Sequence, residues 1–285
     1  MVADPTMTSP FTAACVQMTS GREQAANVAT ASDYIRQARD AGADLVMLPE
    51  VVNIIEAKGS VLREKAHHEA DDPSLGAFQE VARETGAWLL VGSLVVKADV
   101  AAADGDKQML ANRSFLIDAR GDIKARYDKV HMFDVDLEGG ESYRESKSYT
   151  PGTRSTVADT PWGPFGMTVC YDLRFPYLYR HLAHEGARYL TIPSAFTRPT
   201  GAAHWHILLR ARAIETGCYV FAPAQCGDHE SGRKTYGHSL IVDPWGEVLA
   251  DGGEEPGLIM AEIDPAKIDQ ARGRIPSLSH DREFD

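Results

Sequence analysis

The sequence has no run of eighteen apolar residues, so no helical membrane span is expected. It has no His-Glu-x-x-His motif and no closely paired cysteines, so nothing points to a zinc site. No glycine-rich loop opens a helix; Gly163-Pro164-Phe165-Gly166 is a turn before a strand, not a phosphate cradle. Positive charge is scarce: 29 Lys and Arg stand against 41 Asp and Glu, a formal net charge of -12. A surface that tracks nucleic-acid phosphates needs the opposite balance. Cysteine is scarcer still, four in 285 residues, and a chain this long needs no disulfide framework. Residues 1–10 lack an apolar signal core and read as a flexible polar tail. The expectation is a cytoplasmic protein without cofactor, metal, nucleic-acid partner or membrane contact.

What is present is enough apolar sequence for a real core, 44% hydrophobic against 25% charged residues. Strand and helix patterns alternate throughout. Phe11–Met18 reads as a strand, and Ala26–Ala41 as a helix that stops at Gly42. Asp44–Leu48 is a short strand, and Asp72-Pro73 starts a helix that ends at Gly86. Trp88–Val96 is a strand, followed by a small, polar loop at Ala98–Lys107. The second half repeats the order: strand Phe165–Cys170, helix Pro176–Glu185, strand Tyr189–Ile192, helix Ala203–Thr216, strand Cys218–Ala224.

Three blocks match in register between the halves. Gly42-Ala43-Asp44-Leu45-Val46-Met47-Leu48-Pro49 aligns with Gly186-Ala187-Arg188-Tyr189-Leu190-Thr191-Ile192-Pro193. Glu84-Thr85-Gly86 aligns with Glu215-Thr216-Gly217, and Ser114–Asp118 plus Gly121 with Ser239–Asp243 plus Gly246. The pattern suggests a duplicated half. Strands apolar on both faces suit two sheets packed together, each covered outside by helices. The expected fold is therefore α/β, a four-layer α-β-β-α sandwich with an internal pseudo-twofold repeat. No linker separates the halves, so one domain over residues 1–285 is expected.

Three positions invite a chemical reading. Cys170 ends an apolar strand ahead of a tight turn and a helix, a setting that exposes a nucleophile beside backbone N–H groups. Arg174 and the helix start would favour a thiolate. An ordinary buried cysteine fits that position equally well, as Cys15 and Cys218 do. Glu50 follows Leu45–Pro49, where a carboxylate could take a thiol proton, although a solvated loop glutamate fits too. Lys129 in Tyr127–Asp134 could stabilise an oxyanion, or could pair at the surface with Asp128 or Asp134. Neighbouring His131 reads as structural. His204 and His206 sit two apart on a helix and point to different faces, so they make poor joint ligands. Leu208–Ile214 reads as a packed helix with its arginines at the rim.

Taken together, Leu48-Pro49-Glu50, Tyr127–Asp134 and Val169–Pro176 resemble the glutamate, lysine and cysteine motifs of the nitrilase superfamily, in that chain order. The likeness runs from about Phe11 to Asp264. It implies Glu50 as general base, Cys170 as nucleophile, and Lys129 with the N–H of Tyr171 as oxyanion donors. Arg144–Gly152 resembles a further motif that gives Glu145 a part in positioning substrate and Lys129. Pro193–Thr197, Thr200-Gly201, His204-Trp205, Ala222–Gly227 and Tyr236–Ser239 resemble the Nit subgroup of amidases. That subgroup includes enzymes acting on deaminated glutathione and on α-ketoglutaramate, and the likeness to the former is greater. Within it, Arg174 would hold a substrate carboxylate.

The implied chemistry needs no metal or organic cofactor. Glu50 deprotonates Cys170, the thiolate attacks the amide, ammonia leaves, and water hydrolyses the thioester. The subgroup also implies a homo-oligomer, commonly a dimer. Alternatives stay open: an ω-amidase, a nitrilase acting on a C≡N bond, a non-catalytic scaffold of the same fold, and a zinc hydrolase.

Overall fold

In chain order the elements are β1 (Phe11–Gln17), α1 (Gln24–Asp40), β2 (Leu45–Met47), α2 (Gly59–Lys65), α3 (Pro73–Thr85), β3 (Trp88–Ala101), β4 (Gln108–Ile117) and β5 (Ile123–Asp128). There follow β6 (Asp134–Asp136), β7 (Ser142–Arg144), β8 (Thr156–Ala158), β9 (Phe165–Met167), α4 (Pro176–His184), β10 (Tyr189–Thr191), α5 (Arg198–Thr216) and β11 (Tyr219–Ala222). The chain closes with β12 (Cys226–Asp228), β13 (Lys234–Tyr236), β14 (Leu240–Val242), β15 (Val248–Asp251), β16 (Gly257–Ile263) and α6 (Ala266–Arg274). The computed structural model describes residues 9–101, 108–137 and 142–283. Most of the expected tail, and residues 102–107 of the expected loop, lie outside this range. β3 continues to Ala101, five residues past the expected Val96, because its partner β4 extends the ladder to the pair Ala101–Gln108.

Two six-stranded sheets form, in the orders β16-β1-β2-β3-β4-β5 and β8-β9-β10-β11-β14-β15. Within the first, the three inner strands β1, β2 and β3 run parallel and the outer pairings are antiparallel. The second sheet repeats this polarity strand for strand. Helices α1 and α3 make the crossovers of the first sheet, and α4 and α5 those of the second. The strand alternation sorts side chains into layers. Cys15, Met47 and Leu90 join a cluster with Phe165 and Met167 of the other sheet. Val46, Leu48, Leu89 and Val91 point the other way, into a cluster with Ile35 of α1 and Phe78 of α3. Each large buried side chain of this kind contributes roughly 1.5–3 kcal/mol by leaving water. The result is the four-layer sandwich.

The matched blocks occupy matched places. Leu45 pairs with Trp88 in one half and Tyr189 with Tyr219 in the other. Gly86 and Gly217 end α3 and α5 in the left-handed region, at φ 67 and 59, which glycine enters without steric cost. Asp118 and Asp243 build identical turns. Asp118 Oδ1 accepts from the N–H of Arg120 and Asp122 at 2.9 and 3.0 Å; Asp243 Oδ1 accepts from Trp245 and Glu247 at 2.9 and 3.0 Å.

Two boundaries near the second half's loops also differ from the sequence reading. The helix expected at Ala203 begins at Arg198, with Pro199 in its first turn, where a missing N–H costs nothing. Gly201 lies inside this helix as a packing position: a Cβ there would lie 2.3 Å from the Tyr236 ring. The strand expected to end at Cys170 ends at Met167, and Cys170 opens a 3-10 turn over Cys170–Arg174.

Candidate active site

Glu50, Lys129 and Cys170 come from three separate stretches of chain and meet at the C-terminal ends of the sheets. Glu50 follows β2 and is 3% exposed, not a solvated loop residue. β3 passes tightly behind it: a Cβ on Gly92 would lie 1.9 Å from the Leu48 carbonyl oxygen. Gln225 Nε2 donates to the Glu50 carbonyl at 3.0 Å. The carboxylate itself accepts three bonds, from Asn112 Nδ2 at 2.9 Å, Lys129 Nζ at 3.0 Å and the N–H of Ala195 at 2.8 Å.

Lys129 follows β5 and is 2% exposed, so the surface-pair reading fails. Its main chain is fixed on both sides: its N–H donates to Asn112 O at 3.0 Å, and its carbonyl accepts from Gly152 N at 2.8 Å. Its ammonium also donates to Glu145, at 3.0 Å to Oε1 and 2.8 Å to Oε2. Glu145 is anchored in turn by the N–H of Phe133 at 2.7 Å.

Cys170 sits at φ 51, a left-handed conformation that costs a non-glycine residue of order 1–3 kcal/mol and persists only when its surroundings enforce it. Here they do. Cys170 N–H donates to Pro193 O at 3.0 Å. Buried Asp172 accepts from Val169 N at 2.9 Å, Tyr127 Oη at 2.7 Å and His131 N at 3.0 Å. Arg212 donates through Nε and Nη2 to Leu173 O, at 3.0 and 2.8 Å. Arg212 is only 5% exposed and clamps the nucleophile's turn; the rim placement expected for the α5 arginines holds for Arg210, which is exposed. His131 belongs to the same brace: it pairs with Asp172 at 2.6 Å and stacks on Phe175 with ring centroids 3.6 Å apart.

Charge is distributed in one direction. Burial opposes ionisation of Glu50, but Lys129, then Arg233, then hydrogen bonds from Cys170 and Lys129 hold its pKa below the ordinary value. Burial likewise disfavours the Lys129 ammonium, and Glu145, Glu50 and Cys170 outweigh it, so its pKa stands well above normal. Cys170 is pushed up, by burial first and by Glu50 second. The resting state is thus a thiol facing a carboxylate, with a permanent cation alongside. Such a pair is chemically able to pass a proton from thiol to carboxylate.

The three groups open on a cavity of about 550 Å³ that Tyr171, Glu145 and Arg233 also line. Arg174, expected to reach substrate, does not line it. Its guanidinium lies over the rings of Phe196 and Tyr171, 5.3 and 5.9 Å from their centroids, and meets His204 Nδ1 at 3.3 Å. Asn112 and Arg233 went unnoticed in the sequence, since neither belongs to a quoted motif; Ala195 lies in the Pro193–Thr197 stretch, but its N–H to Glu50 was not foreseen. Among the described residues the one His/Asp set close enough to share a metal is His206, His238 and Asp251, with ligand atoms within 4.8 Å of one another. It shares no residue with the cavity lining, and both histidines already hydrogen-bond Asp251, at 3.0 and 2.9 Å. His204 and His206 indeed diverge, one toward Arg174 and the other toward Asp251.

A double α/β sandwich carrying a thiol, a buried carboxylate and a buried ammonium in one cavity is the arrangement of a thiol-dependent hydrolase. Comparison with known proteins makes the class specific. Residues 12–273 match the carbon-nitrogen hydrolase family, and the chain belongs to it. A deaminated glutathione amidase of Yersinia enterocolitica is 41% identical over 270 residues, 94% of this chain and 92% of the relative. The human protein of the same name is 41% identical over 275 residues, 96% of this chain and 82% of the relative. The crystal structure of Nit3 from Saccharomyces cerevisiae, a member of branch 10 of the nitrilase superfamily, superposes with a TM-score of 0.85. It is 31% identical and the match covers 99% of this chain and all of that one.

Proposed function

We propose that this carbon-nitrogen hydrolase is an amidase that cleaves deaminated glutathione through a thioester on Cys170. One observation carries the mechanism: buried Glu50 accepts from the Lys129 ammonium at 3.0 Å and lines the same cavity as the Cys170 thiol. The choice of substrate is supported by curated relatives of about 40% identity that bear that name.

Glu50 takes the thiol proton as the sulfur attacks the amide carbon. The carbonyl oxygen becomes an oxyanion held by Lys129 and the N–H of Tyr171. The intermediate collapses, the C–N bond breaks, and protonated Glu50 delivers its proton to the departing nitrogen. Deaminated glutathione loses a dipeptide amine here, where a primary amide would lose ammonia. Water then enters, gives a proton to Glu50 and attacks the thioester carbon. The C–S bond breaks and the proton returns to Cys170. Glu145 is the positioning residue that keeps Lys129 aimed between the two carboxylates. Arg174 supports the cavity wall by stacking on Tyr171 and Phe196.

The reading extends to one domain over residues 1–285, a homodimer and a cytoplasmic setting. A dimer built across α4 and α5 is supported by Tyr177, Ile207 and Ile214, exposed at 63, 70 and 52%. Four unpaired cysteines and a thiol nucleophile suit a reducing compartment. The test is a substrate panel. Deaminated glutathione, α-ketoglutaramate and a simple nitrile are assayed side by side, and the first is expected to give the highest kcat/KM. A higher value for either of the others would transfer the chain to the ω-amidases or to the nitrilases proper.

A further inference from the structure

The cavity holds more charge than the reaction uses. Four cations line it: Lys129, Arg144, Arg233 and Lys234. Lys129 is matched by Glu50 and Glu145, Arg144 by Asp136 at 2.8 Å, and Lys234 more loosely by Asp228 at 3.9 Å. Arg233 has no carboxylate at ion-pair distance among the described residues. It sits between β12 and β13, where Nη2 donates to the Ala195 carbonyl and the guanidinium lies 5.6 Å from the Tyr143 ring centroid. Its Nε–H is buried and meets no acceptor among the described residues, and the same holds for the Ser231 hydroxyl two residues earlier, which also lines the cavity.

Two buried donors on one turn, left without acceptors, are costly unless something arrives to accept from them. A guanidinium with an unpartnered N–H offers a carboxylate a charge-assisted bond, and the Ser231 hydroxyl on the same cavity wall offers a second donor. The position is close to the chemistry. Ala195 gives its N–H to Glu50 and its carbonyl to Arg233, so the main chain of one residue separates the guanidinium from the general base. Arg174, by contrast, is occupied by two aromatic faces and His204.

We infer that Arg233, with Ser231, forms a substrate-carboxylate subsite of this cavity and selects amides that carry a carboxylate. The inference rests on the amidase reading above and adds the residue that sets its substrate class. A carboxylate on either side of the scissile bond could dock there, on the acyl chain or on the departing amine.

The experiment separates the sources and the readings. Deaminated glutathione and its two mono-methyl esters, one blocked at the keto-acid end and one at the glycine end, are assayed with the native protein and with Arg233→Gln. The quantity read is the ratio of kcat/KM for the diacid to that for each ester, which divides out any general effect of Arg233 on Glu50. The native protein is expected to favour the diacid over one ester by about tenfold or more, as for loss of a charge-assisted bond. In Arg233→Gln that ratio should fall close to one, mostly through KM, and the ester concerned identifies the end bound. Equal loss on all three substrates would overturn the subsite and leave Arg233 a support for Ala195. Failure of the native protein on all three would overturn the substrate reading instead. Titration of glutarate into Cys170→Ala needs no turnover: binding should weaken about tenfold when Arg233→Gln is added, and unchanged binding would overturn the inference independently.

Discussion

The two halves of the sandwich share strand order, polarity and turns, yet only one copy of each reactive group exists. Glu50 follows Leu48-Pro49 at the end of β2; its counterpart after Ile192-Pro193 is Ser194, whose hydroxyl donates to Ile192 O at 3.0 Å. Cys170 lies three residues beyond Met167, which aligns with Cys15, so the first half has Met18 in that place. Met18 is a 1% exposed core residue. Lys129 lies eight residues after Gly121, and the same count from Gly246 reaches Glu254, which is exposed. The frame is therefore indifferent to chemistry, and the site arises where the first half's carboxylate and ammonium face the second half's thiol.

This comparison can be broken at matched positions. Cys170→Ala should lower turnover by roughly 10⁴-fold or more, as loss of a nucleophile does, with unchanged circular dichroism. Met18→Leu, its counterpart, should keep turnover and cost less than about 1.5 kcal/mol in chemical denaturation. Retained wild-type rates in Cys170→Ala would end the account.

Glu50→Gln should slow turnover by about 10²–10⁴-fold. It also has a pH signature. Glu50 titrates below its ordinary value of 4.5. Its contribution to stability is thus full above the unfolded-state pKa and is lost as pH falls through the lower, folded-state pKa. Native protein should lose stability in that acid window, and Glu50→Gln should lose less of it, as denaturant midpoints between about pH 5 and 3 would report. The acid limb of kcat/KM should likewise lie below the ordinary carboxylate range.

Lys129→Met removes the proposed oxyanion donor and should cost about 10²–10³-fold in kcat. It also leaves Glu50 and Glu145 side by side without their cation, a loss of roughly 3–5 kcal/mol on folding. Glu254→Gln at the matched position should change stability by less than about 0.5 kcal/mol. At the matched helix ends, Gly86→Ala should cost about 1 kcal/mol, since its φ of 67 disfavours a side chain although no atom lies within 4 Å of the new Cβ. Gly217→Ala, at φ 59, should cost more, because the new Cβ would lie 2.7 Å from Arg272 Cγ and disturb its bonds to Thr216 and Ala187.

Much of this was legible in the sequence for identifiable reasons. Glycines at left-handed helix ends and the Asp-x-x-Gly turns are local signals, so the repeat could be read before the sheets were seen. Glu50, Lys129 and Cys170 stood out because their flanking residues form motifs, not because of their own identity. What stayed hidden depends on distant parts of the chain. Asn112 is one more polar residue in a strand until β4 brings it against Glu50 and Glu145. Arg212 looked like a rim charge because nothing local says that a carbonyl of the nucleophile's turn lies opposite it. Arg174 looked poised because it is near Cys170 in sequence, whereas Arg233, remote in sequence, reaches the cavity. The left-handed Cys170 was missed because a run of apolar residues reads as a continuing strand.

Trapping the acyl intermediate tests the central asymmetry most directly. Native protein is mixed with deaminated glutathione, quenched in acid, digested and weighed by mass spectrometry. The account predicts one acyl adduct, on the peptide that carries Cys170 and on none of the peptides with Cys15, Cys218 or Cys226, and no adduct in Cys170→Ala. Turnover without any adduct, or an adduct on another residue, would contradict it.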